Sequence, residues 1–325
     1  MSAVKNTAVL FNPSAGGGRA QKRIATLRDH LERLGIPFDI FVTESREDLA
    51  EKTRRLAAEY PRLVGAGGDS TFFIMVNALM GIEHRPELGL IGLGSSNDIP
   101  LHFGIETIEK ACLALKEGRA KSIDLGCLSR GDKITYFLGQ ANIGLGVSVN
   151  RYVEKLSIRA PVPGKMQGLA GLLGILWAYG KKESAVPLRI RAASGTGEEK
   201  TGQIEWNGNW TVALFSNIRN WATGKLMCPD AEADDGKLDA CLIESCGLGR
   251  LIRINRLASR GALRNVPSVH AAQAESFGLS SDTPFAAQLD GEILGGAQAP
   301  EMMTQAVVYV IPSAVKLVVG TMSIP

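Results

Sequence analysis

The chain has 325 residues, of which 45% are hydrophobic and 21% charged, and its formal net charge is +3. This composition is typical of a globular protein with more than one core, and the small net charge argues against a dedicated nucleic-acid-binding protein. The five cysteines form no closely spaced pair, which argues against a disulfide scaffold or a zinc site and favours a cytoplasmic protein.

The first 122 residues show a regular alternation of apolar strand-like runs and amphipathic helical segments. The predicted strands are residues 7–11, 38–42, 63–66 and 88–92, and apolar residues at helical spacing follow each of them. Such alternation predicts a doubly wound parallel sheet with helices on both faces. We therefore expect an α/β domain at residues 1–122.

Three loops rich in glycine or serine follow strands of this predicted sheet, at residues 12–18, 67–71 and 94–98. Because the carboxyl ends of parallel strands meet at one edge, we expect these loops to lie together. Glycines let the backbone approach a bulky anion, and the helix after residue 71 would direct N–H groups at it. Asp69 is either a helix N-cap or a group that faces a metal ion, a ribose or a catalytic partner.

After about residue 122 the pattern becomes mainly β. Strands are predicted at residues 135–138, 188–191, 210–215, 238–243, 285–289, 306–311 and 315–319. Asn207-Gly208 predicts a hairpin turn, and helical insertions are predicted at residues 152–182 and 250–264. We expect a mainly antiparallel β-sandwich domain at residues 123–310. Residues 311–325 would hold a C-terminal strand that could return to the first domain.

Acidic residues recur at the turns of both predicted domains, and for each one alone a solvated turn is the alternative. Asp290 and Glu292 follow the apolar run 285–289 and are two positions apart. If the strand continues through them, their carboxylates face one side, which would raise one pKa and suit a general base. If Asp290-Gly291 forms a hairpin turn instead, this geometry is lost. Spacing alone leaves both interpretations open.

Five sequence blocks, taken in order, resemble the signature blocks of the lipid kinases, which include soluble bacterial diacylglycerol kinases, sphingosine kinases and ceramide kinases. The blocks are residues 11–16, 67–71, 94–98, 234–236 and 290–292. The resemblance covers nearly the whole chain. It implies a phosphofructokinase-like α/β domain, a C-terminal β-sandwich and transfer of the γ-phosphate of ATP to a lipid hydroxyl with Mg²⁺.

The same resemblance implies roles for individual residues. The catalytic residues would be Asp290, as the general base, together with Glu292 and Asp69. The nucleotide would be bound by Asn12, Gly16, Gly17, Gly67, Gly68, Thr71, Ser95, Asn97 and Asp98. The metal would be held by Asp124 and Asp235, with backbone carbonyls near Glu232 and Lys237.

The sequence departs from the family pattern in two places. Ser70 stands where the family has glycine, and Ser95-Ser96 where it has threonine-glycine. If these backbones need a positive φ, each added β-carbon costs on the order of 1 kcal/mol or more and changes the loop.

The resemblance implies ATP and a lipid acceptor as partners, peripheral contact with the inner membrane surface and no nucleic acid, and it leaves a homodimer open. The apolar segment 166–179 could shape an acyl groove, lie against a membrane or be an ordinary packed helix. One alternative function is an NAD kinase-like enzyme, in which Asn97-Asp98 would grip the ribose. Another is a non-catalytic regulator that binds nucleotide or lipid.

Overall fold

The structure is a computed structural model that describes residues 6–159, 167–181, 183–194 and 204–320. The chain divides into two compact units, one formed by Met1–Ile123 with Ser313–Pro325 and the other by Asp124–Pro312. The first is an α/β unit and the second is mainly antiparallel β, which confirms the predicted fold class.

The first unit is a parallel sheet flanked by helices. Its elements are β1 (Thr7–Phe11), a 3-10 helix (Arg19–Arg23), α1 (Ile24–Arg33), β2 (Phe38–Val42), α2 (Arg46–Ala57), β3 (Arg62–Gly67), α3 (Asp69–Leu79), β4 (Glu87–Gly92), α4 (Asp98–His102) and α5 (Ile108–Glu117). The strands pair in parallel in the order β2-β1-β3-β4. Leu317, near the end of the chain, pairs in parallel with Leu88 of β4.

The strands of the first unit carry its core. Residues 8–11 of β1 are completely buried, as expected for a strand covered on both faces by helices. Capping residues determine where the helices begin and end. Ser45 caps α2 by accepting a hydrogen bond from the Asp48 N–H at 3.1 Å, and Gly35 and Gly118 end α1 and α5 with positive φ angles.

The second unit contains most of the antiparallel strands. The chain enters it within β5 (Ala120–Arg130) and leaves it within β17 (Met303–Val318). The elements between are β6 (Lys133–Phe137), β7 (Gln140–Gly144), α6 (Leu145–Arg159), α7 (Gln167–Gly180), β8 (Val186–Ala193), β9 (Ile204–Ser216), β10 (Asn220–Trp221), β11 (Lys225–Leu226), β12 (Leu238–Glu244), α8 (Leu248–Ala258), β13 (Val269–Ala274), β14 (Ser276–Phe285), β15 (Ala287–Leu289) and β16 (Glu292–Ile293). Strand β9 is central, since it pairs with β7, β8 and β12.

One predicted turn of the second unit is wrong. Asn207-Gly208 lies inside β9, where Gly208 pairs with Leu188, and it is not a hairpin turn. A β-carbon at Gly208 would lie 3.6 Å from the indole of Trp210, an ordinary contact distance, so the pairing of β9 with β8 and not a steric need for glycine keeps this dipeptide in a strand.

The helical insertions also differ from their predicted bounds. The apolar insertion is two helices, α6 and α7, and α6 begins before residue 152. Residues 160–166 of this insertion, which include the first residue of the apolar segment 166–179, lie outside the described residues. The basic helix spans Leu248–Ala258, and Gly261 then adopts a positive φ. In the described ranges, no helix is long and apolar enough to span a bilayer.

Candidate active site

The three loops of the first unit meet at the carboxyl ends of β1, β3 and β4. The Asn12 side-chain amide donates to the Thr71 hydroxyl at 3.0 Å, which joins the first loop to the start of α3. The Leu93 N–H donates to the Gly67 carbonyl at 2.6 Å, which joins the ends of β3 and β4. The expectation that these loops share one sheet edge is therefore met.

Glycine is needed in these loops because backbones approach closely. A β-carbon at Gly67 would lie 2.1 Å from the Thr71 hydroxyl oxygen, and one at Gly94 would lie 2.6 Å from Gly68 Cα. Neither glycine has a positive φ, so the close contact and not the backbone conformation excludes a side chain. Gly17 and Ser95 lie in the exposed parts of their loops.

Asn97 shapes the third loop. It adopts the left-handed conformation with φ of 54°, which asparagine tolerates better than most residues. Its side-chain oxygen accepts from the Gly94 N–H at 2.9 Å, and its side-chain nitrogen donates to the Gly94 carbonyl at 3.2 Å. Both ends of the amide thus close the loop on itself.

Asp69 is the first residue of α3, and the N-cap of that helix is Gly68. The interpretation of Asp69 as an N-cap is therefore wrong. The Asp69 Oδ2 accepts a hydrogen bond from the N–H of Asp98 at 3.4 Å, so the two acidic residues lie where the second and third loops meet. Asp98 is buried.

The serines that depart from the family pattern do not strain these loops. Ser70 lies in the first turn of α3, and none of Ser70, Ser95 and Ser96 has a positive φ. The condition under which a β-carbon would be costly is absent. These substitutions therefore give no backbone reason for a distorted loop.

In the second unit, Asp290 and Gly291 form a tight turn between β15 and β16. Both have positive φ, at 48° and 86°, and Leu289 pairs with Glu292 across the turn. This is the two-residue hairpin geometry typical of Asp-Gly. The hairpin interpretation is correct, and the interpretation that one strand continues through Asp290 and Glu292 is wrong.

The Asp290 carboxylate lies in a cradle of backbone N–H groups and is only 3% exposed. Its Oδ2 accepts from Leu138 at 2.8 Å, and its Oδ1 accepts from Gly139 and Gln140 at 2.8 and 2.9 Å. Burial raises the pKa of Asp290 to about 6, with a smaller contribution from the charge of Glu292, although the three N–H groups oppose this rise. A carboxylate offers about four acceptor positions, so one position on Oδ2 remains.

A second acidic site involves Asp124 and the turn after residue 231. The Gly236 N–H donates to Asp124 Oδ2 at 2.7 Å, while Asp235 accepts from the Lys237 N–H at 3.0 Å. Burial raises the pKa of Asp235, and the charges of Asp124 and Glu232 raise it further. The structure therefore brings these sequence-predicted residues together.

This site fits a hard divalent cation. Within the described ranges, no three acidic, histidine or cysteine side chains gather closely enough to bind a metal alone. Magnesium, however, is commonly held by one or two carboxylates with other oxygen donors and retained waters. A cation near Asp124 and Asp235 would relieve the repulsion that raises the pKa of Asp235.

Two asparagines that no sequence motif marks form hydrogen bonds around the Asp124 site and the Asp290 turn. The fully buried Asn217 side chain donates to the carbonyls of Asp124 at 2.9 Å and Leu138 at 3.2 Å, so it joins the second acidic site to the Asp290 cradle. Asn150 donates to Gln288 at 2.8 Å and to the Gly291 carbonyl at 3.3 Å. Neither residue belongs to a glycine-rich block, and the only sequence signal for Asn217 is an amide directly after an apolar strand.

Glycine loops at the edge of a parallel α/β sheet and buried carboxylates in an antiparallel unit define the class of two-domain kinases. Within this class, comparison with the sequences of known protein families identifies the family. Residues 6–128 match the family model of the diacylglycerol kinase catalytic domain, and residues 139–319 match that of the YegS C-terminal NAD kinase beta sandwich-like domain. The chain belongs to this diacylglycerol kinase family.

Similar relatives carry the same family name, and a solved structure has a similar fold. A diacylglycerol kinase of Staphylococcus saprophyticus is 27% identical over 296 residues, which is 90% of each chain, and one of Staphylococcus epidermidis is 27% identical over 294 residues, which is 90% of this chain and 87% of the relative. The fold is similar to a crystal structure of a putative diacylglycerol kinase from Bacillus anthracis, with a TM-score of 0.71 at 18% identity and 98% of each chain covered.

Proposed function

We propose that this kinase transfers the γ-phosphate of ATP to the hydroxyl group of diacylglycerol. The observation that carries the proposal is the Asp290 carboxylate, which is buried, held by three N–H groups and left with one acceptor position on Oδ2. The curated relatives of this chain are diacylglycerol kinases, which supports diacylglycerol as the acceptor.

The loops of the first unit are proposed to bind ATP. The approach of Gly68 to Gly94 leaves two backbone segments without side chains at the start of α3. The helix N-terminus favours an anion, so the triphosphate would lie against Gly67 and Gly68. Asn12 and Thr71 would hold the first loop against the second. Asn97 would act by shaping its loop, because both ends of its amide bond Gly94.

Asp290 is proposed to be the general base. Its Oδ2 would accept the proton of the acceptor hydroxyl as the hydroxyl oxygen bonds to the γ-phosphorus. The bond from that phosphorus to the bridging oxygen breaks, and ADP leaves. A pKa near 6 keeps the carboxylate mostly charged at neutral pH, where it can still accept a proton.

Magnesium is the proposed cation. Asp124 and Asp235 would hold it with the backbone carbonyls of Glu232 and Lys237, and Glu292 would hold a catalytic ion beside Asp290. A bound divalent cation neutralises charge on phosphate oxygens, which phosphoryl transfer requires. The Asn217 side chain would keep Asp124 in place, because it bonds the Asp124 carbonyl.

The acceptor implies a location for the enzyme. Diacylglycerol resides in a bilayer, and no helix within the described ranges could span one. We therefore propose a cytoplasmic enzyme that contacts the inner membrane surface peripherally. The NAD kinase-like alternative loses support. In that alternative the Asn97 amide would bind the ribose, but both ends of this amide already form hydrogen bonds with the Gly94 backbone.

The proposal is tested with purified protein, labelled ATP, Mg²⁺ and separate acceptors: diacylglycerol, ceramide, a sphingoid base, a polyprenol and NAD. We expect labelled phosphatidic acid as the main product. Labelled NADP alone would contradict the lipid acceptor. Nucleotide binding without product from any acceptor would favour the non-catalytic regulator.

A further inference from the structure

Helix α7 exposes its larger apolar side chains. Leu172, Leu173 and Leu176 are 50%, 41% and 46% exposed. The buried face of the helix carries small residues instead: Gly174 packs against Val149 of α6, where a β-carbon would lie 3.2 Å from a valine methyl group. An exposed row of leucines on a helix is typical of a surface that meets a partner or a membrane.

Helix α8 exposes positive charge. Residues 245–274 contain five arginines and no aspartate or glutamate, a local charge of +5 in a chain whose net charge is +3. Arg253, Arg256 and Arg260 are exposed, and within the described part of the chain no ion pair involves them. The opposite face of α8 packs into the core of the second unit through Ile254 and Ala258.

One hydrogen bond connects the end of α7 to the segment that precedes α8. The Tyr179 hydroxyl, at the end of α7, donates to the Cys246 carbonyl at 2.8 Å, two residues before α8 begins. The leucines and the arginines therefore belong to connected elements of one unit. Exposed apolar side chains and an exposed basic helix in connected elements match an anionic bilayer, whose headgroups attract arginine and whose acyl region accepts leucine.

We propose that the exposed faces of α7 and α8 dock the enzyme onto an anionic lipid bilayer. The inference rests on the proposed function, since an acceptor embedded in a bilayer has to be reached there. The arginines of α8 would bind lipid phosphates, and the leucines of α7 would enter the interface. This assigns membrane contact to a surface in which no catalytic or nucleotide-binding role is placed.

The test measures sedimentation of the full chain, without ATP, with phosphatidylcholine vesicles that contain or lack phosphatidylglycerol. The wild type should bind the anionic vesicles more tightly, and added salt should weaken binding. The variant with Arg253→Gln, Arg256→Gln and Arg260→Gln should bind on the order of a hundredfold more weakly, since each charge contributes about fivefold. Leu172→Ser with Leu176→Ser should weaken binding by about tenfold or more, with little dependence on salt.

The matched control replaces Arg54, Arg55 and Lys116, three exposed cations of the first unit, with glutamine and should bind like the wild type. Turnover of a dissolved short-chain diacylglycerol should not change in the α8 variant. Equal binding of wild type to neutral and anionic vesicles, or unchanged binding of the α8 variant, would overturn the docking role. A parallel fall in turnover of the dissolved acceptor would also overturn it. If no lipid acceptor is phosphorylated at all, the proposed function fails while the vesicle affinity is still measured.

Discussion

The loop cluster of the first unit and the Asp290 turn of the second are held together by different kinds of contact. In the first unit, backbone lies directly against backbone, as Gly68 against Gly94 shows. In the second, one carboxylate gathers three N–H groups from residues 138–140. The loop cluster of the first unit should therefore be sensitive to added volume, whereas the Asp290 turn should be sensitive to the loss of charge.

The largest effect is expected from Asp290→Asn, which removes the charge from the second site. An amide oxygen can replace Oδ1, but the amide NH₂ then faces the Leu138 N–H and cannot accept a proton. We expect turnover with diacylglycerol to fall by about 10²- to 10⁴-fold. In the wild type, kcat/KM should rise with pH and level off above an apparent pKa of about 6, since the base must be deprotonated.

Rates measured across this pH range in both proteins provide the check. The thermal midpoint and the ATP affinity of the variant serve as controls, because the cradle loses one hydrogen bond. A variant that is folded, binds ATP and keeps the wild-type rate and pH profile would show that Asp290 is not the base.

The next effect is expected from Gly94→Ala, which adds volume to the first site. The new β-carbon would lie 2.6 Å from Gly68 Cα, so the two loops must separate. Overpacking of this kind costs about 1–3 kcal/mol, and we expect ATP to bind about 10- to 100-fold more weakly. Calorimetric titration with ATP would measure this.

Gly81→Ala is the matched control, because no atom lies within 4 Å of its β-carbon position and its φ is not positive. Its ATP affinity should equal that of the wild type. Equal ATP affinity of Gly94→Ala and wild type would mean that the nucleotide does not use these loops.

A smaller effect is expected from Asp235→Asn. Removing this carboxylate relieves its repulsion with Asp124 and Glu232 but takes away a cation ligand. The Mg²⁺ concentration for half-maximal activity should rise about tenfold. Asp132→Asn, at an exposed turn, is the control. An unchanged Mg²⁺ requirement in Asp235→Asn would remove this site from the metal assignment.

The smallest effect concerns stability and pH. Burial raises the pKa of Asp239 to about 6, from an ordinary value of 3.8. Between about pH 4 and pH 6 the folded chain thus keeps a proton that the unfolded chain has released, so stability falls as pH rises. Asp239→Asn should remove part of this fall, on the order of 1 kcal/mol after solvent screening. Thermal midpoints at pH 4 and pH 6 would show it, and an unchanged pH dependence would contradict the shifted pKa.

Local sequence predicts the first unit well. Strand β1 ends at Phe11 as expected, and the loops after β1, β3 and β4 lie on one edge because parallel strands place them there. The backbone strain considered for Ser70 is absent, since helical backbone begins one residue earlier, at Asp69. Sequence alone could not show that Asn97 closes its own loop.

The second unit depends on partners that are far apart in the chain. Asp290 bonds residues about 150 positions away, and Asn217 joins two turns that no motif connects. The hairpin at Asp290-Gly291 follows from local turn chemistry, but the cradle around its carboxylate does not. Asn207-Gly208 shows the reverse, because the pairing of β9 with β8 overrides a strong turn signal.

In the proposed mechanism, the first unit holds ATP and Asp290 of the second unit takes the proton of the acceptor hydroxyl. A rapid-quench single turnover with saturating labelled ATP and short-chain diacylglycerol tests it most directly, in wild type, Gly94→Ala and Asp290→Asn. We expect saturating ATP to restore Gly94→Ala to nearly the wild-type rate, while Asp290→Asn stays slow although ATP is bound. Labelled phosphatidic acid formed by Asp290→Asn at the wild-type rate would contradict it.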